Sequence, residues 1–319
     1  MAQEKSRIKV GISTCLLGQK VRFDGGHKHD RYITDILGEY FEFVPVCPEV
    51  AIGMGTPREA VRLQGKVEAP YMVGVRSGKH WTTKMNEYSH KRVSLFKHQT
   101  ISGYILKKDS PSCGMERVRV YSATGMPARN GRGLYAMELI KQFPLLPVEE
   151  EGRLNDIRLR ENFIVRVFAY HRLRNLFKDS YKRGELVKFH TIHKYLLLAH
   201  APEYYKKLGK LVADIKKHTP AEMRDHYSEL FMTALKYKTT TRKNVNVLQH
   251  IIGFLKKDLT DFEKRDILKV IEDYRNQLVP LIVPLTLLKH YLNKYEIEYI
   301  RDQVYMNPHP KELMLRNHV

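Results

Sequence analysis

Short apolar runs bounded by turn residues recur through the first half of the chain. Residues 8–14 (IKVGIST), 42–47 (EFVPVC) and 102–107 (SGYILK) are apolar or β-branched, as buried strands are. Helical periodicity separates these runs, after Asp30 and again over residues 85–99. Strands that alternate with helices predict a mainly parallel sheet with helices packed on its faces.

The pattern changes in the second half. From Asp156 onward, apolar positions recur with the helical period over long stretches, and strand signals are few. We therefore predict two domains: an α/β domain with a Rossmann-like, mainly parallel sheet over residues 1–150, and an all-α domain over residues 151–319. The predicted helix breaks in the second domain are Pro202, Gly209 and Pro220.

The composition is that of a folded globular protein, with 43% hydrophobic and 28% charged residues. The first residues contain no apolar run of signal-peptide length. The most apolar late run, residues 278–288, is too short to span a bilayer and is interrupted by Pro280 and Pro284. Three cysteines cannot all pair, so no disulfide framework is predicted. We expect a cytoplasmic protein without a membrane partner.

The charge is strongly basic, with a formal net charge of +20 and an isoelectric point near 9.7. A polyanionic partner such as nucleic acid is one interpretation, and an ordinary basic surface is the other. The best candidate contact segment is residues 236–247 (KYKTTTRKNVNV), because Lys, Arg, Asn and Thr side chains suit phosphate contacts. The same residues would equally suit the solvated face of a helix.

Each cysteine follows one of the three predicted strands. Cys15 ends the first run, Cys47 ends the second, and Cys113 follows the third through a Ser-Pro-Ser turn. Because ligand crevices form beyond the carboxyl ends of parallel strands, the three thiols are predicted to converge there. A lone cysteine is most often a small buried hydrophobic residue. Three at strand ends also suit an iron–sulfur cluster or a catalytic zinc ion, and both alternatives stay open at this point.

Groups capable of acid–base chemistry or hydrogen bonding surround the cysteines. Glu49 lies two residues beyond Cys47 and is a candidate proton donor or acceptor. Ser110 and Ser112 flank the proline before Cys113, while Arg22 and Asp24 occupy a glycine-hinged loop after Cys15. Taken singly, such residues are common in turns. Their clustering around all three cysteines favours a functional site.

Three segments carry a resemblance to a known family: CLLGQKVRFDGG, PVCPEVAIGMGTPRE and LKKDSPSCG. Together they resemble the signature segments of the 2-thiouracil desulfidase family, in the family's order, within residues 7–145. The resemblance implies a [4Fe-4S] cluster held by Cys15, Cys47 and Cys113, with the fourth iron open to substrate sulfur. One departure is Phe23, where the family pattern has tyrosine.

The resemblance also implies an activity, the conversion of a thiolated pyrimidine to its oxo form with release of sulfide. That would make the protein a non-redox desulfidase. The catalytic Glu and Ser of the family fall on Glu49 and on Ser110 or Ser112, of which Ser110 is favoured. Whether the substrate is a free base, nucleoside, nucleotide or RNA stays open, as does the oligomeric state.

The second half is similar to the domain fused C-terminally in YbgA-type proteins, which implies a helical fold but no activity. His190, His193 and His200 fall near one face of a predicted helix. They are interpreted as metal ligands, as contacts to a phosphate-bearing partner, or as packed structural residues, the last being favoured. The runner-up function for the whole chain is a nucleic-acid-binding protein whose cluster domain acts on thiolated RNA bases or senses redox state.

Overall fold

The computed structural model describes residues 7–122 and 124–318. The chain divides into two compact units, residues 1–155 (the N-terminal unit) and residues 156–319 (the helical unit). None of the helices in the described residues is both long enough and apolar enough to cross a bilayer.

The N-terminal unit is an α/β domain. Its described strands are β1 (Ile8–Ser13), β2 (Phe41–Val46), β3 (Val61–Lys66), β4 (Ala69–Gly74), β5 (Gly103–Leu106), β6 (Val118–Tyr121), β7 (Pro127–Gly131) and β8 (Val148–Glu150). Its α-helices are α1 (Pro48–Ala51), α2 (Thr82–Ser94), α3 (Phe96–Gln99) and α4 (Leu134–Gln142).

One sheet is parallel throughout, with the strand order β2-β1-β5-β8. Its central strands are apolar and buried on both faces, and Val10, Ile12 and Ile105 are fully buried. Gly11 is required by close packing, because a Cβ there would lie 2.2 Å from the ring of Tyr104 on the neighbouring strand. The predicted strands are thereby confirmed, and all three end at the same edge of this sheet.

A second, mixed sheet was not anticipated by the sequence analysis. Its strand order is β4-β3-β6-β7, with β3 and β6 parallel and the two outer pairs antiparallel. The prediction of a mainly parallel sheet therefore holds for the first sheet and omits the second. The helical pattern after Asp30 forms a π-helical turn over Tyr32–Ile36 and a 3-10 turn over Leu37–Glu39 instead of a regular α-helix.

The helical unit contains no strand within residues 156–318. Its helices are α5 (Ile157–Leu176), α6 (Arg183–His200), α7 (Pro202–Ala213), α8 (Pro220–Lys236), α9 (Thr241–Leu255), α10 (Asp261–Arg275), α11 (Ile282–Lys294) and α12 (Glu298–Arg301). The predicted all-α domain is confirmed.

The helix boundaries in this unit follow from local chemistry. Asp156 caps α5, and its carboxylate accepts the N–H groups of Arg158 and Leu159. Pro202 and Pro220 occupy the first turns of α7 and α8, where their missing N–H groups need no partner. Gly209 was expected to break a helix but lies inside α7, so that prediction was wrong. A single glycine weakens a helix by only about 1 kcal/mol, which neighbouring contacts offset.

Candidate functional site

The three cysteines line one cavity at the carboxyl edge of the parallel sheet. This cavity, here called the cysteine cavity, has a volume of about 450 Å³. Cys113 is buried, while Cys15 and Cys47 are partly exposed. None of them forms a disulfide. Residues far apart in the sequence thus meet where parallel strands end, as the sequence predicted.

Cys15 and Cys47 are held in the turns that directly follow their strands. Cys15 lies in a 3-10 turn that ends at Gly18, whose φ of 85° lies in the left-handed region that favours glycine. Cys47 is the N-cap of α1, and Pro48 follows at the first helical position. In both cases the end of the strand determines the position of the thiol.

The Cys113 loop is fastened by its own serine. The Ser110 hydroxyl accepts the backbone N–H of Cys113 at 3.1 Å and that of Ser112 at 3.3 Å. The Gly114 N–H donates to the Ser110 carbonyl at 2.8 Å. Ser110 therefore shapes the backbone that presents the third thiol.

The start of α4 secures the same loop from the other side. The N–H groups of Leu134 and Tyr135 donate to the carbonyls of Pro111 and Ser112 at 3.1 and 3.0 Å. These are first-turn N–H groups, which have no acceptor within their own helix. A Cβ on Gly133 would lie 2.4 Å from the Ser112 carbonyl, so only glycine allows this approach.

Burial raises the pKa of all three thiols. The pKa of Cys15 rises to about 11, although the Lys107 ammonium counteracts part of the rise. The same desolvation raises the pKa values of Cys47 and Cys113. At Cys113 a hydrogen bond from Ser13 opposes part of this rise. Thiolates in such a site need a bound cation to offset the cost of desolvation.

The donor set suits a soft metal centre. All three donors are sulfur, which favours iron–sulfur clusters and zinc over hard cations. Within residues 7–122 and 124–318, no three His, Cys, Asp or Glu side chains are grouped closely enough to hold a single metal ion. The three thiols line the wall of one cavity.

Glu49 is the centre of a hydrogen-bond network on the cavity wall. Its Oε1 accepts the Ser112 hydroxyl at 2.6 Å and lies 3.5 Å from the Ser110 hydroxyl. Its Oε2 accepts hydrogen bonds from Nε and Nη2 of Arg58, at 3.1 and 2.5 Å. The sequence analysis favoured Ser110 as the catalytic serine, whereas Ser112 makes the shorter hydrogen bond to Glu49.

Arg58 is a site residue that the sequence analysis missed. Its side chain is 5% exposed, and its Nη1 donates to the carbonyls of Val21 and Gly55 at 3.0 and 2.9 Å. These contacts hold the guanidinium in position independently of its ion pair with Glu49. Arg58 lies within the PVCPEVAIGMGTPRE segment, but a sequence does not reveal that an arginine is buried.

Arg22 and Asp24 lie close together, but only Arg22 lines the cavity. The Asp24 carboxylate accepts hydrogen bonds from Nε and Nη2 of Arg22, at 3.3 and 3.2 Å. It also accepts one from the Gly26 N–H, at 3.0 Å. The Arg22 hydrogen bond lowers the pKa of Asp24, which is exposed. Asp24 thus orients Arg22 from outside the cavity.

Lys107 is a second missed residue on the cavity wall. Its Nζ lies 2.5 Å from Oε1 of Glu151, and its backbone N–H donates to the Ser13 hydroxyl at 3.0 Å. Both charged side chains are mostly buried. Lys107 is the last residue of the predicted strand 102–107, but the sequence gave no indication of its ion pair with Glu151.

The histidines singled out in the helical unit are packed and hydrogen-bonded within that unit. Nδ1 of His193 lies 2.7 Å from the Phe189 carbonyl, and Nδ1 of His200 lies 2.6 Å from the Tyr237 carbonyl. His190 contacts the Tyr227 hydroxyl at 3.2 Å. Burial lowers the pKa values of all three, to about 4 for His190, about 3 for His193 and about 4 for His200. The packed, hydrogen-bonded interpretation is the one that this geometry supports.

Comparison with known proteins finds relatives for each half of the chain. The family model for 2-thiouracil desulfurase matches residues 10–151, and the model for DUF1722, a family of proteins of unknown function, matches residues 194–310. YbgA of Escherichia coli (strain K12) is 30% identical over 167 residues, which cover 51% of this chain and 98% of that protein. YbbK of Bacillus subtilis (strain 168) is 31% identical over 151 residues, which cover 46% of this chain and 97% of that protein. Both relatives are described as uncharacterized.

Among solved structures, the [4Fe-4S]-dependent thiouracil desulfidase TudS is 30% identical. The match covers 50% of this chain and 100% of that one, with a TM-score of 0.40. The N-terminal half of the chain therefore belongs to the 2-thiouracil desulfurase family, and the C-terminal half is of the YbgA type (DUF1722).

Proposed function

We propose that the N-terminal unit binds a [4Fe-4S] cluster and removes sulfur from a thiolated pyrimidine of the 2-thiouracil type, giving the oxo-pyrimidine and sulfide. The family assignment supports a desulfurase. A mostly buried Arg58–Glu49–Ser112 network lies on the wall of the cavity that all three cysteines line, and this arrangement is the main support for the proposal. A proton-transfer group and soft metal ligands thus share one pocket.

Cys15, Cys47 and Cys113 are the residues that would hold the cluster, because they are the only three cysteines in the sequence and all face one cavity. When bound by three thiolates, such a cluster supplies one iron without a protein ligand, a soft Lewis acid that polarises a C–S bond. A hydrogen bond from Ser13 lowers the pKa of the Cys113 thiol against the effect of burial and would favour the thiolate form of that ligand.

The protein supplies the proton transfer. Glu49 would take a proton from the attacking water and pass a proton to the ring nitrogen or the leaving sulfur. Arg58 holds Oε2 in place, so that Oε1 faces the serine hydroxyls. A C–O bond forms while the C–S bond breaks, water provides the oxygen and two protons, and no net electron is transferred.

The two serines have different roles in this proposal. The Ser112 hydroxyl, 2.6 Å from Glu49, would orient the carboxylate and the incoming water. The Ser110 hydroxyl, 3.0 Å from that of Ser112, would contact the ring of the substrate while it holds the Cys113 loop. Arg22 and Lys107 place positive charge on the wall, which favours an anionic leaving sulfide.

The test is anaerobic purification, followed by iron and sulfide quantification, a visible absorption spectrum and a sulfide-release assay with 2-thiouracil. We expect about four irons and four sulfides per chain, as in a [4Fe-4S] cluster, and sulfide release with matching formation of uracil. A cluster-loaded protein that releases no sulfide from thiolated bases, nucleosides or nucleotides would contradict the activity. A protein that cannot be loaded would contradict the cofactor.

A further inference from the structure

The cysteine cavity has one aromatic wall residue to which no role has been assigned. Among the described residues of the wall, Phe23 alone carries an aromatic ring. It is 42% exposed, so a large part of an apolar residue has no protein neighbour. Single exposed apolar residues are ordinary on a protein surface. One that lines a ligand cavity instead offers its uncovered area to the ligand.

The loop that carries Phe23 is closed by hydrogen bonds within a few residues. The Gly25 N–H donates to the Arg22 carbonyl at 3.0 Å, and the Arg22 N–H donates to the Gly26 carbonyl at 3.2 Å. Gly25 has a φ of 76°, in the left-handed region that favours glycine. The backbone that presents the ring is therefore held in a defined turn, which lowers the ordering cost when a ligand binds.

Arg58 connects this loop to the acid–base network. Its backbone N–H donates to the Phe23 carbonyl at 2.9 Å. Its guanidinium pairs with Oε2 of Glu49. One residue thus holds both the loop of the aromatic ring and the carboxylate, and this sets the position of one relative to the other.

Arg22 supports the ring itself. Its guanidinium carbon lies over the Phe23 ring, 5.4 Å from the centroid, which is within the range of a cation–π interaction. The same guanidinium is paired with the Asp24 carboxylate at 3.2 Å. The partner that stabilises the ring is therefore fixed in turn.

The rest of the wall divides in a way that matches a pyrimidine. Its apolar members are Val21, Val46, Ala60, Val61 and Pro111, and its polar members include Glu49 and the two serines near Cys113. A pyrimidine has two apolar π-faces and an edge of nitrogen and oxygen or sulfur atoms. The apolar side chains and the ring of Phe23 suit the faces, while the carboxylate and hydroxyls suit the edge.

We propose that Phe23 is a specificity-determining residue that stacks on the ring of the thiolated pyrimidine and selects planar aromatic rings over saturated ones. This assignment rests on the proposed function, which supplies the class of substrate, and adds the residue that recognises the ring. An aromatic pair contributes about twofold to tenfold in affinity beyond the area that it buries.

The test compares uracil with 5,6-dihydrouracil. Both carry the same nitrogen and oxygen atoms, but saturation of one carbon–carbon bond removes the planar π-system from the second. Neither contains sulfur, so binding is measured without turnover, by ligand-detected NMR titration of the anaerobically purified full chain with its iron content recorded. We expect the wild type to bind uracil at least about threefold more tightly than dihydrouracil.

Three variants separate the ring from its surroundings. Phe23→Leu keeps an apolar side chain without a π-face, and it should weaken uracil at least about threefold and leave dihydrouracil within about twofold. Phe23→Tyr keeps the ring and should keep the preference. The control is Tyr71→Leu, which replaces another exposed aromatic residue of the same unit, outside the cavity. Iron content and far-UV circular dichroism should match the wild type in all three.

Kinetics give a second readout. In anaerobic sulfide release from 2-thiouracil, Phe23→Leu should raise KM at least about threefold and change kcat by less than about twofold. The reason is that a stacking contact holds the ring equally in the ground state and in the transition state, so its loss weakens binding without slowing the chemical step.

Four results would overturn the role of Phe23. They are wild-type protein that does not bind uracil more tightly than dihydrouracil, a preference that survives in Phe23→Leu, a preference lost equally in Tyr71→Leu, and a kinetic effect of Phe23→Leu on kcat alone. A preference that depends on Phe23 in a protein that releases no sulfide would confirm the stacking residue and overturn the desulfidase activity, so the two failures are distinguishable.

Discussion

The Ser112 hydroxyl donates a 2.6 Å hydrogen bond to Oε1 of Glu49, which lies 63 positions earlier in the chain. Ser112 belongs to the loop that carries Cys113, and Glu49 belongs to the short helix that begins after Cys47. This one contact connects two of the three cysteine-bearing segments. It also makes the acid–base group of the proposed reaction part of the framework that positions the thiols.

Replacing Glu49 by Gln should abolish most turnover while the cluster is retained. The amide keeps the shape of the side chain but cannot accept a proton from water, and general acid–base catalysis contributes about a hundredfold to ten-thousandfold. The measurement is anaerobic sulfide release from 2-thiouracil, normalised to iron content. Glu68→Gln, at an exposed position of the same unit, is the control. Equal rates for Glu49→Gln and wild type would remove Glu49 from the mechanism.

Replacing Ser112 and replacing Ser110 should affect different properties of the enzyme. Ser112→Ala removes the donor to Glu49 and should lower the rate per cluster. Ser110→Ala removes the acceptor of the Cys113 N–H, which is worth about 0.5–1.5 kcal/mol, and should speed cluster loss on exposure to air. Iron retention and the initial rate of sulfide release are measured for both variants. If Ser110→Ala alone lowered the rate per cluster, Ser110 would be the catalytic serine.

Single Cys→Ser variants at positions 15, 47 and 113 should each lose most of the bound iron and sulfide. A serine oxygen is a hard donor and replaces thiolate poorly on iron. The readouts are iron, acid-labile sulfide and the visible spectrum after anaerobic reconstitution. Ser122→Ala, at a turn outside the cysteine cavity, is the control. Full cluster content in all three Cys variants would show that the ligands lie elsewhere.

Arg58→Met should destabilise the N-terminal unit. It breaks a mostly buried ion pair and leaves the Glu49 carboxylate without its cation, a change that typically costs about 3–5 kcal/mol. Urea unfolding can be followed through the fluorescence of Trp81, the single tryptophan, which lies in this unit.

The double variant Arg58→Met/Glu49→Gln should recover part of that loss, because no unpaired charge remains. Arg76→Met, at an exposed position, is the control and should have little effect. A double variant less stable than Arg58→Met would mean that Arg58 acts mainly through its backbone contacts to Val21 and Gly55.

The helical unit should lose stability as the pH falls from about 6.5 to about 4. Burial lowers the pKa of His193 to about 3 and that of His200 to about 4, whereas both titrate near 6.5 when unfolded. The unfolded state therefore binds more protons in this window. The stability is fully present above the unfolded pKa and is lost as the pH falls toward the folded pKa.

Urea unfolding monitored by far-UV circular dichroism across this pH window tests the prediction. His193→Gln/His200→Gln should flatten the dependence on pH, while the exposed control His250→Gln should leave it unchanged. The slope with pH is the readout, so a constant loss of stability from replacing buried residues does not obscure it. An unchanged slope in the double variant would assign the acid sensitivity to other groups.

Local periodicity and strand order were sufficient to predict several features of the fold and of the site. Strands β1, β2 and β5 have bounds within one residue of those predicted, because buried parallel strands are short, continuous apolar runs. The convergence of the three cysteines followed from their positions at strand ends. Amphipathic periodicity likewise predicted a second half without strands.

The mixed sheet and the charged pairs of the site depend on contacts between segments that are distant in the sequence. Strand β7 (PARNG) is mostly exposed and polar, so it has no apolar alternation to detect, and pairing with β6 makes it a strand. Arg58 reads as an ordinary basic residue until folding buries it against Glu49. Ladder hydrogen bonds and buried ion pairs depend on which distant segments meet, and local periodicity does not carry that information.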